Sequence, residues 1–552
     1  MNSSGIAKNK YGKYILILFP IVFIAVCAVL FWKCSYGFPY EESFYVNTAM
    51  RFVRGDLPII HEWHISQLSF IYLEPFVYAF VKITGSTEGI MLFMRYVYTA
   101  VWALFALFVF IRLRGRSLIA AVSVSLILLV YTPAGQMALY YNSIGIITLL
   151  SSCLIIATAE KYKPCQYIIA GVLYAVAVTC CPFLAILWVI FCFAGIRGLI
   201  RRSSAGRIWL FTTIGILGLF VVFCIAFFSR ASLGEYLDII PRMFNDSEHQ
   251  WNILIKTAEY LGSMFTVTIP CGIILVLMAV NLLYFYLRKD KADLMTGFMI
   301  ACILTIALQI SFVLCDNLIN YLIFPPAFLG LYCFVCLRDE FNSRLFFYVW
   351  IPGIVYSFCL NLSSNMQFVS ISAASSVASA ASIVMAVRCA ASFKGKMIPW
   401  LLALLISVQF LTIAERRIVY VFGAQDIRYT TEKLDSGIAK GMYETPEWRD
   451  IYYSKLSELA PVKEDGSVKT LLIVSTEWWM YLESEKDVAS YTTWTPNLTP
   501  GMLDDYYTLY PDKRPDAIYV DQIYSNLVPH FAMQGYKGTM NEYGGYILYP
   551  EA

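Results

Sequence analysis

The chain has 552 residues, of which 59% are hydrophobic, 16% aromatic and 14% charged, against about 25% charged in an ordinary soluble domain. These figures exclude a soluble globular enzyme, a disordered chain and a collagen-like fibre. The net charge of +3 conceals two unlike parts: residues 415–552 hold 13 Lys+Arg against 21 Asp+Glu, the remainder 28 against 17, so an acidic water-soluble tail follows a basic membrane body and nucleic acid is not an expected partner.

Apolar runs predict thirteen membrane helices, at about 14–32, 95–112, 117–133, 139–159, 166–180, 182–196, 208–229, 260–287, 294–315, 318–337, 345–362, 370–389 and 397–414. Lys8, Lys10 and Lys13 place the N-terminus in the cytoplasm. Each second loop is then basic: Arg112/Arg114/Arg116, Lys161/Lys163, Arg197/Arg201/Arg202/Arg207, Arg288/Lys289/Lys291, Arg338/Arg344 and Arg388/Lys394/Lys396. The alternate short loops 134–138, 316–317 and 363–369 lack basic residues, and the longer loop 230–259 spreads Arg230, Arg242 and Lys256 widely. This parity divides the chain into a membrane part, 1–414, and an extracytoplasmic part, 415–552. The expected setting is a plasma membrane crossed many times, of bacterial type. Residues 64–83 resemble a span, but Glu74-Pro75 at their centre and the parity of the later loops read them as a helix lying in the outer interface. Residues 14–32 lack an A-x-A-like cleavage site and read as a retained first span.

All 15 cysteines precede residue 390 and are scattered as small apolar residues; there is no Walker loop, no GxGxxG after a strand and no HExxH. The first outer loop, Lys33 to Met94, is longer than a connector needs to be. It opens with Glu41-Glu42, and Val46, Ala49, Met50 and Val53 then form the apolar stripe of an amphipathic helix, with Asn47, Arg51 and Arg54 opposite. Gly55-Asp56 ends that helix, and His61-Glu62-Trp63-His64 follows. Two adjacent carboxylates at a membrane surface read either as a functional pair or as a solvated helix start that suits the dipole.

The order of these features resembles the GT-C superfamily of polytopic glycosyltransferases, in particular the protein O-mannosyltransferase and lipid A aminoarabinose transferase branch. The carrying residues are Glu41-Glu42-Ser43-Phe44-Tyr45, Gly55-Asp56, His64-Ile65-Ser66-Gln67-Leu68, Gly85-Ser86, Arg95-Tyr96 and, in span ten, Asn320-Tyr321-Leu322-Ile323-Phe324-Pro325-Pro326. They cover roughly 14–112 and 316–331. The family's leading Asp is Glu41 here, its Pro-Pro after the histidine is Ser-Gln, and its span-ten Arg is Asn320.

The resemblance implies a GT-C-like helical membrane fold with a C-terminal extracytoplasmic α/β domain. It implies transfer of a sugar from a polyprenyl-phosphate donor to a lipid, glycan or protein acceptor, by inverting displacement. Glu41 or Glu42 would then be the general base. With Asn320 in place of Arg, the donor phosphate would fall to Arg95, Arg230, Arg242 and Lys256, for each of which interfacial snorkelling is the alternative. His64, Tyr141, Asn142, Asn320 and Tyr321 would line the sugar or acceptor pocket. His61, Glu62 and His64 offer ligands for a divalent metal, Mg or Mn, the alternative being an interfacial turn with satisfied histidines.

In the tail, Pro446–Leu459 reads as a helix and 470–475, 517–520 and 546–549 as strands, a small α/β pattern. Glu477-Trp478-Trp479-Met480-Tyr481 is similar to an oligosaccharyltransferase Trp-Trp-Asp motif but has Met480 for the Asp, and reads as a buried strand-to-helix corner. A polyprenyl-glycan flippase or transporter, and a glycan polymerase or ligase, are the competing functions. The absence of charged residues inside spans two to thirteen counts against transport.

Overall fold

A computed structural model describes residues 10–244, 252–288, 290–315, 319–393, 395, 397–421, 425–541 and 543–551. The loop 316–317 and Lys8, Lys289, Lys394 and Lys396 lie outside the described residues, as does part of the loop 230–259.

Helix α1 (Lys10–Lys33) precedes the long first loop, which holds α2 (Glu41–Val53) and α3 (Glu74–Thr84). The body continues with α4 (Ile90–Leu113), α5 (Leu118–Val130), α6 (Tyr141–Thr158), α7 (Pro164–Cys180), α8 (Ala185–Ile200) and α9 (Ser204–Phe228). Then come α10 (Leu233–Met243), α11 (Ile253–Thr266), α12 (Ile269–Arg288), α13 (Lys291–Leu314), α14 (Ile319–Ile323), α15 (Leu329–Cys336) and α16 (Glu340–Leu345). Helices α17 (Ile351–Leu362), α18 (Phe368–Ala374), α19 (Ser376–Ser392) and α20 (Met397–Val419) complete it.

Among the described residues, 11 helical segments are long and apolar enough to cross a membrane. The bent pair α18–α19 forms a twelfth, and the 17-residue α7 occupies the remaining predicted position. The 45° bend between α18 and α19 falls in a serine-rich run. Ser372, Ser375 and Ser382 each donate to the carbonyl four residues back, competing with the helical ladder. The predicted span at 260–287 is corrected: the chain breaks between α11 and α12 and restarts at Ile269, where Pro270 is tolerated only in a first turn. Residues 64–83 are no span; a short 3₁₀ turn over Gln67–Tyr72 leads into α3, with Pro75 in its first turn.

Small residues let the helices approach. A side chain on Gly171 would strike the Thr212 carbonyl, and one on Gly215 the Ile168 carbonyl, so α7 and α9 cross backbone to backbone. Helices α6 and α19 lie in the interior, whereas α1 and α9 line the rim, with Ile17, Ile24, Phe220 and Ile225 exposed.

The tail folds around a five-stranded sheet, and a β1 (Glu432–Lys433), β2 (Tyr443–Glu444) ribbon precedes it. The sheet contains β3 (Thr470–Val474), β4 (Asp487–Val488), β5 (Ala517–Val520), β6 (Tyr536–Met540) and β7 (Tyr546–Pro550) in the order β4-β3-β5-β7-β6. Strand β3 runs parallel to β4 and β5; β7 is antiparallel to β5 and β6. Helix α21 (Pro446–Glu464) starts at a Thr445 cap; α22 (Met480–Ser484) follows β3 directly. Side-chain alternation buries both faces. Leu471, Ile473, Ala517 and Tyr519 join the core shared with the membrane body, and Leu472, Val474, Ile518 and Val520 pack with Ile60, Trp63, Tyr236 and Ile239.

The tail is fastened to the long first loop. Asn47 donates to the Trp478 carbonyl, Trp63 N–H to Tyr491 at 2.7 Å, Thr87 to Leu482 at 3.1 Å and Gly89 N–H to Gly437 at 3.0 Å. Asn47 and Arg51, on the polar side of the predicted amphipathic helix, are thereby as buried as its apolar stripe.

Candidate active site at the head of helix α2

The acidic pair opens α2, where exposed N–H groups favour negative charge. Its two members are held in opposite states. Glu42 is buried; one oxygen accepts from Arg95 Nε at 2.6 Å and the other from the Met137 N–H at 2.6 Å. Arg95 also donates to the carbonyls of Cys34 and Tyr36 at 3.0 and 3.1 Å, tying the ends of α1 and α4 together. Glu41 is partly exposed, and its Oε2 is a buried atom with no hydrogen-bond partner. Burial, with the charges of Glu42 and Glu477 behind it, pushes its carboxyl up to about 7 against the lowering effect of its own N–H.

Aromatic rings pack against one another along the first turn of α2. Trp478 meets Tyr40 and Phe44 edge-on at 5.6 and 6.3 Å, and Trp494 lies 4.0 Å from Trp478. His64 stands against Phe44 at 4.9 Å and Trp494 at 6.1 Å, with Nδ1 bonded to Ser66 Oγ at 2.7 Å. On the other side Tyr45 stacks on Tyr140 at 4.7 Å, and Tyr140 meets Tyr141 edge-on. Asn142 Nδ2 reaches Tyr140 OH at 3.4 Å, while its Oδ1 is buried without a partner. His64 thus packs on Phe44 of α2, while Tyr141 and Asn142 reach that helix only through Tyr140, which stacks on Tyr45.

The other anticipated residues are engaged elsewhere. Asn320 is buried in α14; its Oδ1 accepts from Tyr131 OH and Ala134 N–H and its Nδ2 donates to Val369. Tyr321 packs between Phe312 and Phe368. Arg242 pairs with Asp505 at 2.6 Å. Lys256 is buried between Glu259 at 3.2 Å, Asn365 Oδ1 at 2.8 Å and the Ser364 carbonyl at 3.0 Å. Arg230 is exposed, with Glu74 in its field. With Arg95 held by Glu42, three of the four anticipated phosphate cations already have carboxylate partners.

The metal set is corrected. Among the described residues no group of three His, Cys, Asp or Glu side chains is placed to hold a metal ion. Glu62 turns to Arg51 at 3.0 Å, and His61 Nδ1 accepts from the Leu57 N–H. Burial, with Arg51 and Lys513 nearby, lowers His61 to about 4, so it is neutral. Arg51 is the hub of this turn: it also binds Asp56, the Ser490 carbonyl at 2.6 Å and Tyr506 OH at 3.0 Å. These residues build a fastening for the tail and not a ligand set.

Glu477 and Trp478 were passed over in the sequence because their motif reads as a buried corner. They do form that corner, between β3 and α22, and the corner faces Tyr40 and Glu41. Burial raises the Glu477 carboxyl, which accepts from Trp479 Nε1 at 2.6 Å.

Solved structures that match the chain align over nearly all of it, at low identity. ArnT from Cupriavidus metallidurans bound to undecaprenyl phosphate aligns over 97% of both chains at 9% identity and a TM-score of 0.40. Its apo state aligns over 97% of this chain and 98% of that one, at 11% identity and a TM-score of 0.43. The archaeal oligosaccharyltransferase AglB from Archaeoglobus fulgidus, in complex with an inhibitory peptide and a dolichol-phosphate, aligns over 98% of this chain and 75% of its own, at 10% identity and 0.42. Likeness at this distance assigns no residue a role. No family model and no curated protein matches the chain.

Proposed function

We propose that this protein transfers a sugar from a polyprenyl-phosphate donor to a hydroxyl-bearing lipid, glycan or protein acceptor at the outer face of a plasma membrane, with Glu41 as general base. The observation that carries the reading is the state of Glu41. It is a carboxylate with a partnerless oxygen, raised to about 7, beside a second carboxylate locked in an ion pair. A base poised near the working pH is the most effective one. In the reaction the acceptor oxygen attacks the anomeric carbon, the bond from that carbon to the phosphate oxygen breaks, and the acceptor proton passes to Glu41. A single displacement inverts the anomeric centre. Tyr40, Trp478 and His64 are the aromatic rings next to the head of α2 that a sugar ring would meet, and Asn142 Oδ1 is an acceptor for a sugar hydroxyl. Glu42 acts as a positioning residue, fixing the head of α2 to Arg95 and to the Met137 N–H.

The testing experiment incubates purified protein with a panel of polyprenyl-phosphate sugars and measures donor consumption and transfer. Consumption by the wild type and its loss in Glu41→Gln support the reading. Full activity in Glu41→Gln would refute Glu41 as the base.

A further inference from the structure

At the end of the helical body away from the acidic pair, the last turns of α4 and α6 and the start of α7 enclose a cleft of about 370 Å³. Arg95, beside Glu42, and Arg112, in the cleft, both stand on α4, about 25 Å apart along its axis by the rise per residue. Five cations line the cleft: Arg112, Arg114 and Arg116 from α4 and the turn after it, Lys161 and Lys163 from the turn between α6 and α7. Among the described residues its one carboxylate is Glu160, which is 66% exposed and reaches Arg116 at 3.5 Å. The other four cations make no ion pair among the described residues, and Arg112 Nε is a buried atom without a hydrogen bond.

The ordinary duty of a basic side chain at a helix C-terminus is to serve the last carbonyls. In α6 that duty is met by Arg112, which donates to Ile155 at 3.1 Å, and by Arg344, which donates to Ile156 at 2.8 Å. Arg114, Lys161 and Lys163 make no side-chain hydrogen bond among the described residues and stay at the cleft wall. Helix α7 adds donors. It starts in the same cleft, which Gln166 of its first turn lines, with no side-chain cap and no acidic residue in that turn. Its free N–H groups therefore carry their partial positive charge toward the cations instead of toward a carboxylate. Five cations and an uncapped helix start around one concavity fit an anion with several acceptor oxygens, as a phosphate has.

Where the anion comes from follows from α4. Leu104 and Ile111, two turns apart on one face of that helix, are 66% and 49% exposed, and Ile111 itself lines the cleft. An apolar strip thus leads along α4 into the cationic cleft, as acyl chains beneath a headgroup require. We propose that the cleft binds the phosphate headgroup of an anionic membrane phospholipid, with its chains along Leu104 and Ile111, so that one lipid ties α4, α6 and α7 together. Basic pockets between membrane helices hold such headgroups. The site lies at the far end of the body from Glu41 and is independent of the transfer chemistry.

The test uses the full chain in nanodiscs of phosphatidylcholine, titrated with phosphatidylglycerol in one arm and with soluble glycerol phosphate in another. Lipid retained per chain, by native mass spectrometry, and the thermal midpoint are read across each titration. Wild type should retain one phosphatidylglycerol per chain and melt higher with it than without. The double variant Lys161→Gln/Lys163→Gln removes two exposed side chains and leaves the helices intact. It should weaken the binding about tenfold or more, the value of charged hydrogen bonds, and Lys161→Arg/Lys163→Arg should keep it. Arg201→Gln/Arg202→Gln, in the basic turn between α8 and α9 and outside the cleft lining, should bind as wild type does. A loss in that control equal to the loss in the cleft variant would reduce the effect to a general surface field and overturn the site. Equal retention of phosphatidylcholine would overturn anionic recognition, and stabilisation by glycerol phosphate alone would overturn the lipid source. No retained lipid in wild type, or undiminished binding in the glutamine variant of the cleft, would overturn the assignment outright.

Discussion

Arg95 and Glu42 meet at 2.6 Å with each side chain 1% exposed, 53 residues apart in sequence. The pair fixes the head of α2 against the C-terminal end of α1 and the N-terminal part of α4. It also separates the roles of two adjacent glutamates that the sequence leaves equivalent: one is neutralised and rigid, the other is partnerless at one oxygen.

Breaking that pair should be expensive. Glu42→Gln or Arg95→Met should each lower stability by about 3–5 kcal/mol, since the survivor is left charged and buried. The double variant should cost less than the sum of the two. Thermal or chemical denaturation in detergent checks this, and additive losses would show that the residues do not act as a unit.

Glu41→Gln should reduce transfer about 10²–10⁴-fold with the fold intact. In wild type, kcat/KM should rise as pH increases through about 7, where the carboxyl becomes ionised. The stability effect has the opposite sign. The folded state holds the proton more tightly than the unfolded chain, so the stabilisation is fully present in acid, below the ordinary carboxylate range, and is lost as pH rises to about 7. Glu41→Gln should remove both dependences; retention of either would assign it to another group.

Arg51→Leu would leave Asp56 and Glu62 buried without their shared cation. The expected loss is about 3–5 kcal/mol, with early proteolytic release of the tail. Equal proteolysis of variant and wild type would show that the remaining contacts suffice to dock it.

Reporter fusions placed after Arg344 and after Asp465 should report opposite sides of the membrane, following the basic loops. Fusions reporting one side would refute the parity, and with it the placement of Glu41 at the outer face.

What the sequence determined by itself is what depends on local composition. Apolar runs located the membrane helices, because burying some twenty residues in hydrocarbon needs no tertiary partner. Strand alternation located β3, β5 and β7, and Thr445-Pro446 the start of α21. The acidic pair stood out because two carboxylates beside a membrane are unusual in any fold. Tertiary structure decided everything that depends on which distant groups meet. Arg51 and Asn47 looked solvent-facing until the tail covered them. His61 and Glu62 looked like ligands until Arg51 and a backbone N–H engaged them. Trp478 gained a place beside Glu41 only when β3 delivered it across more than four hundred residues of chain. Lys33 and Arg417 read as ordinary ends of the first and last spans. Packing buries both side chains, because a charge is exposed or covered according to its neighbours in space and not in sequence.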